Sequence, residues 1–249
     1  MNTNEIISIL LLLLFIFYTF NFNNNEQFVS DSKIYIFYHI YCNEYTLEVI
    51  KDQINKIIFS GLYNSCDNIY CFLTGDEKYI NICNNYIKSC GKKFSIEEIG
   101  VNNKTYESFT LLKIKKYINK NDKFLYLHSK GITKKNNQYV TDWRNAMEYF
   151  LIYKYKVCLN ELDNYDTVGI NYISGINYIS GSHYSGNFWW TKGSYYLKLS
   201  DQIKDYYTAP EDYICTKNPK YRNLYSTSLE GYGHYTNLYP IKNYIDTNI

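Results

Sequence analysis

The sequence predicts an α/β protein, a mostly parallel sheet with helices on both faces. Three observations predict it. Apolar, β-branched and aromatic runs of strand length alternate with segments of helical period from Lys33 to Ile173. Strands separated by such helices form βαβ units, and right-handed crossovers bring their carboxyl ends to one edge. The fourth run, Phe124-Leu-Tyr-Leu, passes straight into His128-Ser-Lys-Gly131. That puts hydrogen-bond donors and a cation where open α/β sheets bind their ligands.

The elements follow in order. Ile6 to Phe22 is nearly all apolar, and no charge stands between Glu5 and Glu26. This is the lower limit for a membrane-spanning helix. The start lacks Lys and Arg, and bulky Phe20 and Phe22 stand where a cleavage site would want small residues. An uncleaved single-pass anchor is therefore expected, with residues 1–32 as anchor and linker and 33–249 as the domain. Lys33 to Cys42 is the first strand. Glu44 to Ser60 carries Leu47, Ile50, Ile54, Ile57 and Ile58 at helical spacing. Asn68 to Thr74 is the second strand, closed by Gly75-Asp76. Glu77 to Cys90 is a helix with Ile80, Cys83, Ile87 and Cys90 on one face. Phe94 to Val101 is the third strand and Tyr106 to Ile118 the third helix. Lys123 to Leu127 is the fourth strand. Gln138 to Leu162 is a long helix with Trp143, Met147, Phe150 and Leu151 inward, and Asp166 to Ile173 is the fifth strand. Gly-Ile-Asn-Tyr-Ile-Ser occurs at 169 and again at 175, as a loop extension or a slippage insertion would leave it. Beyond Gly186 the pattern is mixed. That half is expected to lie over the strand ends and supply a second substrate.

Composition excludes several classes. Hydrophobic residues make up 46%, enough for a sizeable core and too many for disorder. A net charge of +2 with only short basic runs excludes a nucleic-acid binder. The seven cysteines are odd in number and lack zinc or Cys-x-x-Cys spacing. They read as small buried hydrophobes. The 31 tyrosines read either as A/T-rich codon usage or as rings and hydroxyls suited to sugars and bases, and composition alone does not separate the two.

Several residues could carry chemistry. Lys130 is a point charge suited to a diphosphate, with Ser129 and the Gly131 amide as neutral donors and His128 beside them. His39, near the end of the first strand, joins that phosphate-binding set. Arg144 either forks onto a phosphate or pairs with Glu148 four residues on. Adjacent Trp189 and Trp190 point to opposite sides of a strand. One is expected to pack and the other to line an acceptor groove, with His183 and Asn187 nearby. Glu211 and Asp212 follow Pro210. They read as a general base with a residue that fixes the acceptor, as the acidic first turn of a helix, or as both.

Taken together, His128-Ser-Lys-Gly131, Trp143-Arg144, Tyr165-Asp-Thr-Val-Gly169, Ser185-Gly-Asn-Phe-Trp-Trp190 and Glu211-Asp212 resemble a glycosyltransferase of the GT-A type. The resemblance is to a family of bacterial polysaccharide clusters and large DNA viruses, related to the rhamnan-synthesis glycosyltransferases. It implies a GT-A, Rossmann-like fold and a nucleotide-sugar donor along the strand ends. It also implies transfer to a hydroxyl of a glycan, lipid-linked glycan or protein. A GT-A enzyme typically holds a divalent metal, Mn²⁺ among them, through Asp-x-Asp after the fourth strand. Here His128 and Lys130 take that place, and no metal ligand is assigned. Transfer with Glu211 or Asp212 as base would invert the anomeric centre. The protein would sit on a membrane through residues 6–22, a host endomembrane if it is viral. Two other readings stand beside this one. One is a non-catalytic, membrane-tethered glycan-binding module. The other is a nucleotidyltransferase, disfavoured because Tyr41-Cys-Asn-Glu44 replaces a glycine-rich loop.

Overall fold

The computed structural model describes residues 32–103, 105–133, 137–175, 181–229 and 231–247. The expected anchor at 6–22 lies outside the described residues. Among those described, no helix is long and apolar enough to cross a membrane. Lys33 opens a compact α/β unit.

Among the described residues its nine strands are β1 (Ile34–Cys42), β2 (Asn68–Gly75), β3 (Phe94–Val101), β4 (Lys123–His128), β5 (Thr167–Gly169), β6 (Tyr172–Ile173), β7 (His183–Tyr184), β8 (Trp189–Lys192) and β9 (Tyr221–Asn223). Seven form one sheet in the order β3-β2-β1-β4-β8-β5-β9, while β6 and β7 form a separate antiparallel ribbon. Every pairing in the large sheet is parallel except the two made by β8. The strand order reverses between β1 and β4, whose last paired residues are His39 and His128. Such a switch point opens a crevice at the carboxyl edge.

The sheet is covered on both faces, so β1 is an almost unbroken apolar run. Ile36, Tyr38 and Ile40 face one core, filled by helices Thr46–Phe59, Glu77–Ser89 and Gln138–Glu148. Tyr35 and Phe37 face the other, with Phe109, Ile114, Trp189, Tyr196 and Tyr213. Asp76 and Asn137 cap two of these helices, accepting from the amides of Lys78 and Val140. The seven cysteines are free thiols and six are buried, which fits their reading as packing residues.

Three expected elements differ. The helix expected over 106–118 is one turn, Ser108–Leu111, and a 3₁₀ turn, Ile114–Lys116. Tyr106 has φ +49°, and three consecutive residues, Phe109, Thr110 and Leu111, are buried. The helix expected over 138–162 breaks at a π-turn, Tyr149–Tyr153, and resumes at Tyr155–Glu161. There the Leu151 carbonyl accepts Trp190 Nε1–H at 2.8 Å. The strand expected over 166–173 leaves the sheet after Gly169, because Asn171 takes the left-handed conformation (φ +53°) and turns the chain into the ribbon. The second copy of the duplication lies, beyond Gly175, outside the described residues.

Candidate functional site

The register of β1 and β4 sets His39 beside His128 at the switch point, on the face of Phe37 and Tyr126. The His39 ring is buried, with Nδ1 2.8 Å from Thr110 Oγ1. Burial, and then the neighbouring His128, push its pKa down to about 3. His39 thus supports the floor as a neutral ring.

His128 Nε2 donates to the Gly186 carbonyl at 3.0 Å, and Nδ1 lies 3.2 Å from Glu107 Oε1. Burial and then the Lys130 charge push its pKa down to about 3, against the pull of the Gly186 carbonyl. Burial raises the Glu107 pKa, opposed by its bond from Asn187 and by Lys130. Both shifts run toward the uncharged partners. Asn187 fixes that acid. With φ +56°, its Nδ2 donates to Glu107 Oε2, and its Oδ1 accepts Trp189 Nε1–H at 2.8 Å. Asn187 is therefore placed as the clamp on Glu107.

Beyond His128 the chain turns tightly. Lys130 N–H returns to the His128 carbonyl at 2.8 Å, and Ser129 Oγ accepts the Tyr41 amide at 3.0 Å. Ser129 thus ties β1 to β4 through its oxygen, which leaves its hydroxyl able to donate. Gly131 has φ +93°, and a Cβ there would lie 3.0 Å from Val140 Cγ1, so the turn requires glycine. Lys130 is only 8% exposed. Its ammonium lies 3.9 Å from the Trp143 ring centroid, a cation–π contact. Its charge reaches Glu107, Glu211, His128 and His234. Arg144 is buried behind the turn. It donates to the Lys130 carbonyl at 3.0 Å and faces Glu148 at 3.4 Å and Asp52 at 3.6 Å. Of its two sequence readings, the structure has the Glu148 pair, so Arg144 positions Lys130 from behind.

Glu211 and Asp212 close a one-turn helix, Ala209–Asp212. Asp212 Oδ2 accepts the Tyr206 hydroxyl at 2.7 Å and the Gly181 amide at 3.0 Å. Its Oδ1 is buried with no hydrogen-bond partner among the described residues, 3.6 Å from His183 Nδ1. His183 in turn bonds the Gly181 carbonyl at 2.8 Å. Burial raises the Glu211 pKa and Lys130 opposes it, with Glu107 raising it further. The Tyr126 hydroxyl is a second buried atom without a partner among the described residues. Burial raises its pKa, and Glu107 and Glu211 raise it further. The structure thus gathers Lys130, His128, Glu107, Glu211, Asp212 and His183 around one polar centre above the switch point.

The tryptophans do not line it. Both are fully buried, one in each core. Trp190 packs under the π-turn and Trp189 stacks on Tyr126 at 4.9 Å. A sheet covered on both faces leaves neither side open, which removes the expected groove-lining role. Glu107 and His234 are the additions. Glu107 lay inside a segment read as a plain amphipathic helix. His234, in a 3₁₀ turn at the far end of the chain, stacks on Trp143 at 4.6 Å.

A divalent ion fits this edge poorly. Among the described residues no three His, Cys, Asp or Glu side chains converge as a metal site, and Lys130 already brings a fixed cation.

Residues 37–238 match the model of a family described as a domain of unknown function, DUF8361. No curated protein matches the chain. Among solved structures it is similar to 4-diphosphocytidyl-2C-methyl-D-erythritol synthase from Anaerococcus prevotii, with 9% identity and a TM-score of 0.42 over 85% of this chain and 95% of that one. It is also similar to the glycosyltransferase GlyE of Streptococcus pneumoniae, with 13% identity and a TM-score of 0.36 over 78% of this chain. The match covers 46% of GlyE, less than half its length. With more than half of its residues inside the family model, the chain belongs to the DUF8361 family.

Proposed function

We propose that this protein is a glycosyltransferase that moves a sugar from a nucleotide-sugar donor to a hydroxyl of a glycan acceptor, tethered to a membrane through residues 6–22. One observation carries the reading. A partly desolvated lysine at the switch point of a mostly parallel sheet faces carboxyl groups from two other segments of the chain. The donor diphosphate would lie at the turn 128–131. When the bond between the anomeric carbon and the phosphate oxygen breaks, negative charge grows on the leaving diphosphate. Lys130 would stabilise it in place of a metal. The acceptor oxygen attacks from the opposite face, and its proton passes to a carboxylate. Glu211 is the better candidate for base, because both shifted acids nearby lie within the field of Lys130 and Asp212 Oδ2 is already spent. Asp212 then positions the Gly181–His183 turn. Attack opposite the leaving group inverts the anomeric centre.

Thermal unfolding of the full chain with UDP, GDP and dTDP tests the reading. One of the three should raise Tm by several degrees, and Lys130→Ala should abolish the rise. Protection by none of the nucleotides would refute it.

A further inference from the structure

A groove of about 700 Å³ runs between the segment around residues 105–113 and the loop 203–210, within the usual volume of a ligand site. It contains none of the residues that sequence reasoning assigned to an acceptor. Its walls carry the rings of Tyr106 and Tyr207, 60% and 83% exposed. The two meet edge to face at 6.0 Å. Ser108, Tyr206 and Pro210 also line the groove. Each is tied to the polar centre: Ser108 follows Glu107, Tyr206 donates to Asp212, and Pro210 precedes Glu211 while its carbonyl accepts from Asn187.

We infer that this groove holds an oligosaccharide of at least two rings, with Tyr106 and Tyr207 as the platform for the sugar outside the reacting one. This rests on the transferase reading and narrows its acceptor to an existing glycan chain. Three features select a carbohydrate. Exposed phenol rings offer flat apolar faces edged by a hydroxyl, matching a pyranose, which has an apolar C–H face and a hydroxyl rim. The groove walls also carry small hydroxyl and charged side chains, Thr105, Ser108 and Asp205 among them. Two lysines line the groove, Lys113 and Lys204, and the first is already committed. Lys113 is paired with Glu98 at 2.7 Å and stands 3.4 Å from the Phe109 ring centroid.

Saturation-transfer NMR of the full chain with malto-, cello-, xylo- and chito-hexaose tests the inference. At least one should receive saturation from the protein. Tyr106→Ala and Tyr207→Ala should each weaken its binding by about five-fold. Tyr139→Ala, an exposed ring outside the groove, should leave binding unchanged. Binding of none of the four, or binding that survives both substitutions, overturns the inference. Loss of nucleoside binding rather than saccharide binding in Tyr207→Ala would also overturn it, by making the platform a base site. The nucleotide thermal shift separates the two levels. Saccharide binding without nucleotide protection keeps the groove and rejects the transferase. Nucleotide protection without saccharide binding does the reverse.

Discussion

Glu107 and His128 form the pair whose protonation decides what the site can do. The Nε2 of His128 is committed as a donor to Gly186, so in a neutral ring Nδ1 needs a donor, which Glu107 would supply in its protonated form. The other Glu107 oxygen needs one too, and Asn187 supplies it. Glutamine offers the same two groups, an acceptor oxygen toward Asn187 and an N–H toward His128. Glu107→Gln should therefore fold with near-wild-type stability in urea unfolding. Glu107→Ala leaves Asn187 Nδ2 and His128 Nδ1 without that partner in a buried place and should cost about 1–3 kcal/mol. A Gln variant as unstable as the Ala variant would show the pair to be ionised instead. Little of this was legible in the sequence. His128 and Lys130 declared themselves because a strand ran into them. Glu107 did not, because nothing local distinguishes a buried acid from one on a solvated helix face.

At the scale of elements, the carboxyl edge depends on how closely β1 and β2 end. Gly75 closes β2 opposite Cys42 with φ +114°. A Cβ there would lie 2.3 Å from the Cys42 carbonyl oxygen. No rotamer relieves a clash with backbone, and the positive φ adds its own penalty. Gly75→Ala should destabilise by roughly 2 kcal/mol or more, read as a shift in urea midpoint. It should also pull β1 away from its pairing at Cys42, the strand that carries His39. A change under about 0.5 kcal/mol, the size of an ordinary surface substitution, would show that the β1 end yields freely. The parallel half of the sheet was legible because β1, β2 and β4 are long, mostly buried runs. The C-terminal half was not. β5, β6 and β7 are two or three residues long, and β8 enters antiparallel between β4 and β5. Its place depends on Trp189 and Trp190 packing into opposite cores, which no local pattern announces.

Across the whole molecule, three of the four histidines are held as neutral rings, and this sets a pH response. Their pKa values fall from 6.5 to about 3 for His39 and His128, and to about 4 for His234. Burial is the largest cause in each case. An unfolded chain takes up these protons near pH 6.5, whereas the folded chain refuses them until about pH 3 to 4. Between those limits the unfolded state binds more protons, so this contribution to stability is whole above pH 6.5 and drains away as pH falls. Glu107, Glu148 and Glu211 act in the opposite sense, since burial raises each above 4.5. Their contribution is whole below pH 4.5 and lost as pH rises through their folded values. The wild-type profile mixes both, so the histidine part must be read by difference. Asparagine at 39 can keep a polar atom near Thr110 while removing the titration. The Tm of His39→Asn should therefore decline less between pH 7 and pH 5, by about 4 °C relative to wild type. The gap between the two proteins should narrow steadily on acidification. Parallel Tm profiles across that range would mean that His39 takes up its proton in the folded state as readily as in the unfolded one, and that the ring is not sealed beneath the switch point.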